Sequence, residues 1–139
     1  MGGWREKGKD LGLLVLRVMA GLGIAGLHGY GKMFGGNLEG FAKMAVEPMG
    51  FPFPLFFAYL SAMTEFFAGL FIAAGLLTRL TCLPLIFNMG VALIGIHYHH
   101  GDPISKMEPA LSYLTAWLTI LLAGPGAYSF DHLFLGKKR

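Results

Sequence analysis

Residues 53–77 read FPLFFAYLSAMTEFFAGLFIAAGLL, and this run decides the fold class. Its only charged residue is Glu65. A helix needs about 20 predominantly apolar residues to cross roughly 30 Å of hydrocarbon, and this run supplies them without a break. The run from about Phe53 to Leu77 is therefore predicted to be a transmembrane helix.

Three further runs have the length and the apolar composition of membrane spans. They run from about Leu11 to Tyr30, from about Leu80 to Tyr98, and from about Pro109 to Ala123. The last is short and has room to extend back toward Ile104. Together the four spans predict an all-α membrane protein, a four-transmembrane-helix bundle that forms a single domain over residues 1–139.

The composition of the whole chain favours the same fold class. Of its 139 residues, 55% are hydrophobic and only 14% are charged, against roughly 25% charged in soluble domains. A soluble protein of this size could not hide so much apolar surface, so most of the outer surface is expected to face a lipid bilayer. Cys82 is the only cysteine, which excludes an intrachain disulfide and a CxxC redox pair.

The distribution of lysine and arginine predicts the orientation of the spans. If the N-terminus is cytoplasmic, the external loops hold only Lys32, Lys43 and Lys106. The cytoplasmic segments then hold the larger basic set: Arg5, Lys7, Lys9, Arg79, Lys137, Lys138 and Arg139. This asymmetry predicts both termini in the cytoplasm. It also explains the basic ends without nucleic-acid binding, which we do not expect.

The first external loop has the pattern of a short amphipathic helix. Its apolar residues Leu38, Phe41, Ala45 and Met49 fall roughly on one face, and Glu39, Lys43 and Glu47 fall on the other. Asn37 can cap this helix, and Pro48 and Gly50 can end it. We expect it to lie on the outer membrane surface or over the mouth of the bundle. A plain connecting loop is the alternative.

Ionisable side chains at membrane depth are costly, so they usually face the protein interior and mark function. Arg17 and His28 share one face of the first span with Gly21 and Ala25 between them, and Lys32 continues that face outward. Small residues at four-residue spacing allow another helix to approach closely. This face of the first helix is therefore predicted to point into the bundle.

Polar residues of the other spans extend this interior surface. Glu65 lies near the centre of the second span, and Asn88 and His99 share a face of the third. We therefore expect a polar chamber in the outer half of the bundle, formed by His28, Lys32, Glu65, Asn88 and His99. Trp117 of the fourth span is a candidate to stack on a ligand there.

Several of these residues also have an ordinary structural interpretation. Arg17 is within reach of the cytoplasmic interface and could extend its guanidinium to it. His99 could be a solvated loop residue, and Trp117 could simply pack or lie at the membrane interface. Glu65 is the hardest to explain as structure alone, because a central carboxylate must be protonated or matched by donors.

The chain resembles the DoxX family of bacterial inner-membrane proteins. The resemblance rests on Leu14–Arg17, His28–Gly35, Glu65–Gly69, Gly75–Arg79 and Ala123–Asp131, which occur in this order along nearly the whole chain. It implies a small helical protein of the bacterial inner (cytoplasmic) membrane. The family takes its name from a subunit of an archaeal thiosulfate:quinone oxidoreductase, and other members are linked to oxidative-stress complexes. The resemblance therefore implies a fold and a location more strongly than a reaction.

The leading hypothesis is a redox-associated subunit that binds a quinone-like or similar small ligand in the polar chamber. If the protein is enzymatic, it is then an oxidoreductase subunit linked to quinone. Glu65 would exchange a proton with the ligand, and His28 would act beside it. Ligand-binding roles are expected for Arg17, Lys32, Asn88, His99 and Trp117.

Three alternatives remain open from the sequence. The first is a non-enzymatic membrane scaffold or assembly partner for a soluble oxidoreductase. The second is a small proton-coupled transporter that works as a dimer. The third is a haem or metal site that uses His28 with His97, His99 or His100. The sequence contains no ligand-spacing motif for this site, and we therefore predict no metal ligands.

Overall fold

The computed structural model describes residues 2–136, and within them the regular elements are all helices. We number the helices α1 to α6 in chain order. Helix α1 comprises Gly2–Gly23, a π-helical segment Ile24–Gly29 and Tyr30–Phe34, and α2 comprises Leu38–Phe41, Ala42–Val46 and Glu47–Met49. Helix α3 comprises Pro54–Met63, a π-helical segment Thr64–Ala68 and Gly69–Ala74, and α4 comprises Thr78–Val91 and a π-helical segment Ala92–Tyr98. Helix α5 is Ile104–Ala123, and α6 is Phe130–Leu135.

Three helices are long and apolar enough to cross a membrane by length and composition: Gly3–Phe34 in α1, Pro54–Ala74 in α3 and Thr78–Tyr98 in α4. They match the first three predicted spans. Helix α5 packs beside α4 and is about as long as a span, but Lys106 and Glu108 lie in its first turns. The fourth crossing therefore stays a prediction.

Helix α1 is longer at both ends than the predicted span from Leu11 to Tyr30. It begins at Gly2, and the turns before Leu11 carry exposed Arg5, Lys7 and Lys9. The hydrophobic pattern reports where the membrane begins, not where the helix begins, and this difference explains the discrepancy. The predicted basic end at Lys137, Lys138 and Arg139 lies outside the described residues.

Close backbone contact holds α1 against α3. A Cβ atom at Gly21 would lie 2.5 Å from the carbonyl oxygen of Gly69, and one at Gly29 would lie 2.5 Å from the amide nitrogen of Phe66. No side chain fits at either point, so the two backbones touch where α1 carries glycine. This is the small-residue packing typical of membrane helices, which associate by van der Waals contact.

The main apolar core lies between α1, α3, α4 and α5. Its buried members are Ile24, Ala68, Ile72, Cys82, Leu85, Met89, Ala110, Ala116, Trp117 and Ile120. Many large apolar side chains on the outer faces of the helices are exposed, as expected for a surface in contact with lipid.

Helix α2 lies against α3 and forms a second, smaller core. Ala42 and Val46 of α2 are buried there with Ala58 of α3. The sulfur of Met49 packs directly on Gly95 of α4, where a side chain would collide with it. The loop is thus helical and anchored to two spans, while its position relative to a membrane surface stays a prediction.

Candidate functional site

A hydrogen-bonded group of four polar side chains lies at the interface of α1, α3 and α4. We call it the Glu65 cluster; its members are Lys32, Ser61, Glu65 and Asn88. Lys32 Nζ lies 2.8 Å from Glu65 Oε1, and Asn88 Nδ2 donates to the same oxygen over 3.0 Å. The Ser61 hydroxyl donates to Asn88 Oδ1 over 2.9 Å and so fixes the orientation of the amide. Three of the predicted site residues therefore meet at one carboxylate.

These contacts use only one of the two oxygens of the Glu65 carboxylate, Oε1. The residue is 3% exposed, and its second oxygen, Oε2, has no hydrogen-bond partner among residues 2–136. A buried acceptor without a partner costs about 1–3 kcal/mol, and more when it is charged. Glu65 therefore combines a satisfied oxygen that is held in place with a second oxygen that is free to accept a hydrogen bond.

Lys32 connects the Glu65 cluster to helix α2. Its ammonium group lies 4.2 Å from the centre of the Phe41 ring, in cation–π geometry. Its side chain is 20% exposed, against 4% for the side chain of Glu65. Lys32 therefore connects the buried carboxylate to the more exposed edge of the bundle beside α2.

A row of aromatic side chains lies next to the cluster. The rings of His28 and Tyr113 meet edge to face at 5.6 Å, and the rings of Tyr113 and Trp117 stack at 5.8 Å with 14° between their planes. Trp117 is fully buried, and its Nε1 has no hydrogen-bond partner within residues 2–136. Gly29, which follows His28, touches the backbone of Glu65 and Phe66. The aromatic row and the Glu65 carboxylate thus lie at adjacent positions along the bundle axis.

His99 lies apart from the Glu65 cluster. Its side chain is exposed and packs edge to face with Tyr98. Sequence spacing placed His99 on the same face of the third span as Asn88, on the assumption of a regular α-helix. The π-helical segment Ala92–Tyr98 rotates by a smaller angle per residue, so the residues after it no longer share that face.

The neighbouring His97 makes a polar contact of its own at this end of α4. His97 Nδ1 lies 2.9 Å from Asp102 Oδ2. The hydrogen bond from His97 is the main reason that the pKa of Asp102 is lower than usual, and Lys106 adds to it. This contact orders the loop after α4. Among residues 2–136, no three His, Cys, Asp or Glu side chains are grouped as a metal ion would require.

Arg17 lies in a second polar group, at the end of the bundle that holds the start of α1; we call this the terminal end. The residue is fully buried. Its Nη1 donates to the carbonyl oxygens of Ile72 at 3.2 Å and Ala73 at 3.3 Å, and its Nη2 donates to that of Tyr128. The first two carbonyls belong to the last turn of α3, where the Gly75 amide nitrogen also donates to Ile72, and the third belongs to the segment after α5. Arg17 therefore ties three parts of the chain together. It makes no contact with Glu65.

Asp131 organises the same region from the other side. Its two carboxylate oxygens accept hydrogen bonds from the amide nitrogens of Leu77, the residue before α4, at 2.7 Å and of Thr78, the first residue of α4, at 2.8 Å. Its own amide nitrogen donates to the carbonyl of Gly75 over 2.8 Å. Gly75 has a φ of 72°, and a side chain there would collide with Arg17, so glycine is required at this turn.

Sequence reasoning missed two residues that the structure adds to the site. Ser61 was not selected as a site residue, although it lies one turn before Glu65 and therefore on the same face. Tyr113 was not considered, although it lies one turn before Trp117. In both cases the signal in the sequence was a four-residue spacing, from Ser61 to Glu65 and from Tyr113 to Trp117.

The comparisons with known proteins agree with this architecture. The model of the DoxX family matches residues 12–98, which include α1 from residue 12 onward, all of α2, α3 and α4, and the whole Glu65 cluster. The chain belongs to the DoxX family. It is an integral membrane protein of that family, as its three apolar helices independently indicate. No solved structure matches it.

Two DoxX-like relatives come from Escherichia coli (strain K12). The chain is 32% identical to inner membrane protein YqjF over 140 aligned residues, which cover 96% of this chain and 98% of the relative. It is 31% identical to inner membrane protein YphA over 128 residues, which cover 86% of this chain and 87% of the relative. The chain thus matches both relatives over most of their lengths.

The five segments that carry the family resemblance meet in two places. Leu14–Arg17, Gly75–Arg79 and Ala123–Asp131 come together around Arg17 and Asp131. His28–Gly35 and Glu65–Gly69 come together around the Lys32–Glu65 pair and the Gly29–Phe66 contact. The first place closes the terminal end of the bundle, and the second forms the candidate site.

Proposed function

We propose that this DoxX-family protein is a redox-associated subunit of the bacterial inner membrane that binds a quinone-like ligand at the Glu65 cluster. The observation that carries the proposal is the unequal environment of the two carboxylate oxygens. Oε1 is held by Lys32 and Asn88, whereas the buried Oε2 has no partner among residues 2–136. A ligand that donates a hydrogen bond to Oε2 would complete the site.

The reduced, hydroxyl-bearing form of a quinone-like ligand suits this arrangement. Its phenolic hydroxyl can donate to Glu65 Oε2, and its flat ring can pack among the aromatic side chains of His28, Tyr113 and Trp117. Trp117 Nε1 is a donor without a partner in the described chain, so it suits an oxygen atom at another position of the ligand. Pockets of this kind are mostly apolar with a few placed polar groups.

Glu65 and Lys32 are suited to hold and pass a proton in this site. Oxidation of the ligand would release two protons and two electrons, and Glu65 would take up one phenolic proton at Oε2. Lys32 is the more exposed partner, so it would release one of its own ammonium protons beneath α2. The resulting amine would then take the proton from the Glu65 carboxyl group, which restores the ion pair with its Nζ–Oε1 distance of 2.8 Å, and the same steps would carry the second proton. The electrons would pass to a partner oxidoreductase subunit, because the single buried Cys82 cannot form a redox pair within one chain.

The second candidate is a non-enzymatic membrane scaffold for a soluble oxidoreductase. Glu65 already accepts hydrogen bonds from two donors, and this favours the scaffold. A buried ion pair can fix the register of two helices without any further role. In that case the site would hold no ligand, and the protein would act through its partner. This candidate would be supported if the protein copurifies with a catalytic partner and carries no ligand of its own.

Mass spectrometry of the organic extract of the purified protein tests the proposal. Wild-type protein isolated in mild detergent is expected to carry a quinone-like molecule at a stoichiometry well above the membrane background. Glu65→Gln should lose it while the protein stays folded, and Glu39→Gln, which changes an exposed carboxylate on α2, should retain it. Equal retention in all three proteins, or none above background in the wild type, would reject the proposal in favour of the scaffold.

A further inference from the structure

A groove opens at the terminal end of the bundle, away from the Glu65 cluster. It has a volume of about 910 Å³ and lies between α1, the start of α4 and the segment after α5. Its lining includes the basic side chains Lys9, Arg79 and His132 and the apolar side chains Leu13, Leu80 and Leu135. The groove therefore presents cationic and apolar surfaces side by side.

The acidic residues of the groove are already engaged in holding the fold. Asp131 accepts from two amide nitrogens at the start of α4, and Asp10 Oδ1 accepts from the amide nitrogen of Ala127 over 3.0 Å. By contrast, Lys9 and Arg79 are exposed, and neither forms an ion pair within residues 2–136. Arg79 makes one long hydrogen bond, 3.5 Å, to the carbonyl of Leu122. Both carboxylates keep their charge, but Lys9 and Arg79 are the charged groups of the groove whose donors remain available to a ligand.

A buried hydroxyl adds a polar atom to the lining. Thr78 is fully buried, lines the groove, and has an Oγ1 atom without a hydrogen-bond partner in the described part of the chain. Buried hydroxyls in native proteins are nearly always hydrogen-bonded. An oxygen-rich anionic group in the groove would give this hydroxyl an acceptor.

The apolar side of the groove continues onto helix α6. Leu133, Phe134 and Leu135 of this short helix are all exposed, as in helices that lie in the membrane interface. The groove lies beside Thr78, the first residue of the apolar stretch of α4 that is long enough to cross a membrane. If this stretch spans the bilayer, the groove lies where headgroups meet acyl chains.

We infer that the groove binds an anionic phospholipid, with its phosphate near Lys9, Arg79 and Thr78 and an acyl chain along Leu80 and Leu135. Basic pockets between membrane helices at this depth are suited to such headgroups. A soluble phosphate would use the cations but would gain nothing from the apolar wall and the exposed face of α6. This site is independent of the Glu65 cluster and of the proposed function.

Native mass spectrometry of the full chain in mild detergent tests the inference. The protein is titrated with dioleoylphosphatidylglycerol and, separately, with dioleoylphosphatidylcholine. The wild type should retain the anionic lipid preferentially. Lys9→Gln and Arg79→Gln should each weaken its binding about fivefold, and the double variant about 25-fold. Lys43→Gln, which removes an exposed charge on α2 at the other end of the bundle, should change nothing.

Three results would overturn the inference. One is equal retention of the two lipids by the wild type, and another is unchanged binding of the anionic lipid by the double variant. The third is binding of inorganic phosphate as tightly as phosphatidylglycerol, which would make the site one for a free anion. Because both substituted residues are exposed, melting temperatures near the wild-type value should show that the variants are folded.

Discussion

Lys32 Nζ lies 2.8 Å from Glu65 Oε1, so the only carboxylate of α3 is paired with a lysine from the far end of α1. The pair joins two helices whose backbones already touch at Gly29 and Phe66. The side chain of Glu65 is only 4% exposed, so its hydrogen bonds come from this lysine and from Asn88 and not from solvent. The pair thus links the packing of the bundle to the chemistry of the candidate site.

Removing Lys32 should destabilise the bundle. Breaking one side of a buried pair costs about 3–5 kcal/mol, and we expect Lys32→Met to lie at or below the low end of this range because Lys32 is partly exposed. Adding Glu65→Gln to Lys32→Met should recover part of the loss, with a coupling energy of about 1–3 kcal/mol. Thermal unfolding in detergent measures each variant, with Lys43→Met as the control. Strictly additive losses would show that the two side chains do not interact.

A larger side chain at Gly21 should separate α1 from α3. A Cβ atom there would lie 2.5 Å from the carbonyl oxygen of Gly69, whereas one at Gly12 would meet nothing within 4 Å. Gly21→Leu is therefore expected to cost more than the roughly 1–3 kcal/mol typical of overpacking, because the obstacle is backbone. Gly12→Leu is the matched control and should melt near the wild-type temperature. Equal melting temperatures for both variants would contradict the assigned interface.

Arg17 should prove essential for folding and should not be replaceable by lysine. Its guanidinium donates to three carbonyl oxygens from two segments, a geometry that a single ammonium cannot reproduce. We expect both Arg17→Lys and Arg17→Met to lose at least about 2 kcal/mol. Arg5→Met, at an exposed position of the same helix, is the control. Wild-type stability of Arg17→Lys would show that the charge alone suffices.

The orientation of the bundle can be checked with single cysteines. Cys82 is fully buried, so an added cysteine is expected to give the only accessible thiol. The positive-inside bias predicts that Lys43→Cys reacts with an impermeant reagent on spheroplasts, whereas Lys7→Cys reacts only after permeabilisation. The reverse pattern would place the termini outside.

Apolar runs were sufficient to predict much of this fold. Glu65 lies in a run that could hardly be anything but a span, and three of the four predicted spans correspond to helices with the required length and composition. The fourth could not be settled in this way, because Lys106 and Glu108 lie within α5. Hydropathy also placed the start of α1 too late, since helix and membrane boundaries are different quantities.

The candidate site was predicted less completely than the fold. Lys32, Glu65 and Asn88 were grouped correctly, although Lys32 follows the π-helical segment Ile24–Gly29 and Glu65 lies within the segment Thr64–Ala68. The cost of a polar side chain in an apolar span was the signal, and it does not depend on regular helical spacing. His99 was placed wrongly relative to Asn88, since a π-helical segment between them has no recognised sequence signature. Sequence spacing placed Arg17 on one helical face with His28, but Arg17 bonds carbonyls at the terminal end of the bundle whereas His28 packs on Tyr113. Residue spacing alone does not report how far along the bundle a long side chain reaches.

Ligand binding at Glu65 can be measured directly through Trp117. The chain has two tryptophans, and Trp4 is 86% exposed at the terminal end, so Trp4→Phe leaves Trp117 as the only indole reporter. A short-chain quinol such as decylubiquinol, kept reduced under anaerobic conditions, should change the Trp117 fluorescence saturably. In the same background Glu65→Gln should raise the Kd about tenfold or more, the loss expected for one hydrogen bond to a charged group, and Glu39→Gln should leave it unchanged. A signal that does not saturate, or a Kd that Glu65→Gln leaves unchanged, would contradict a quinone-like site at this carboxylate.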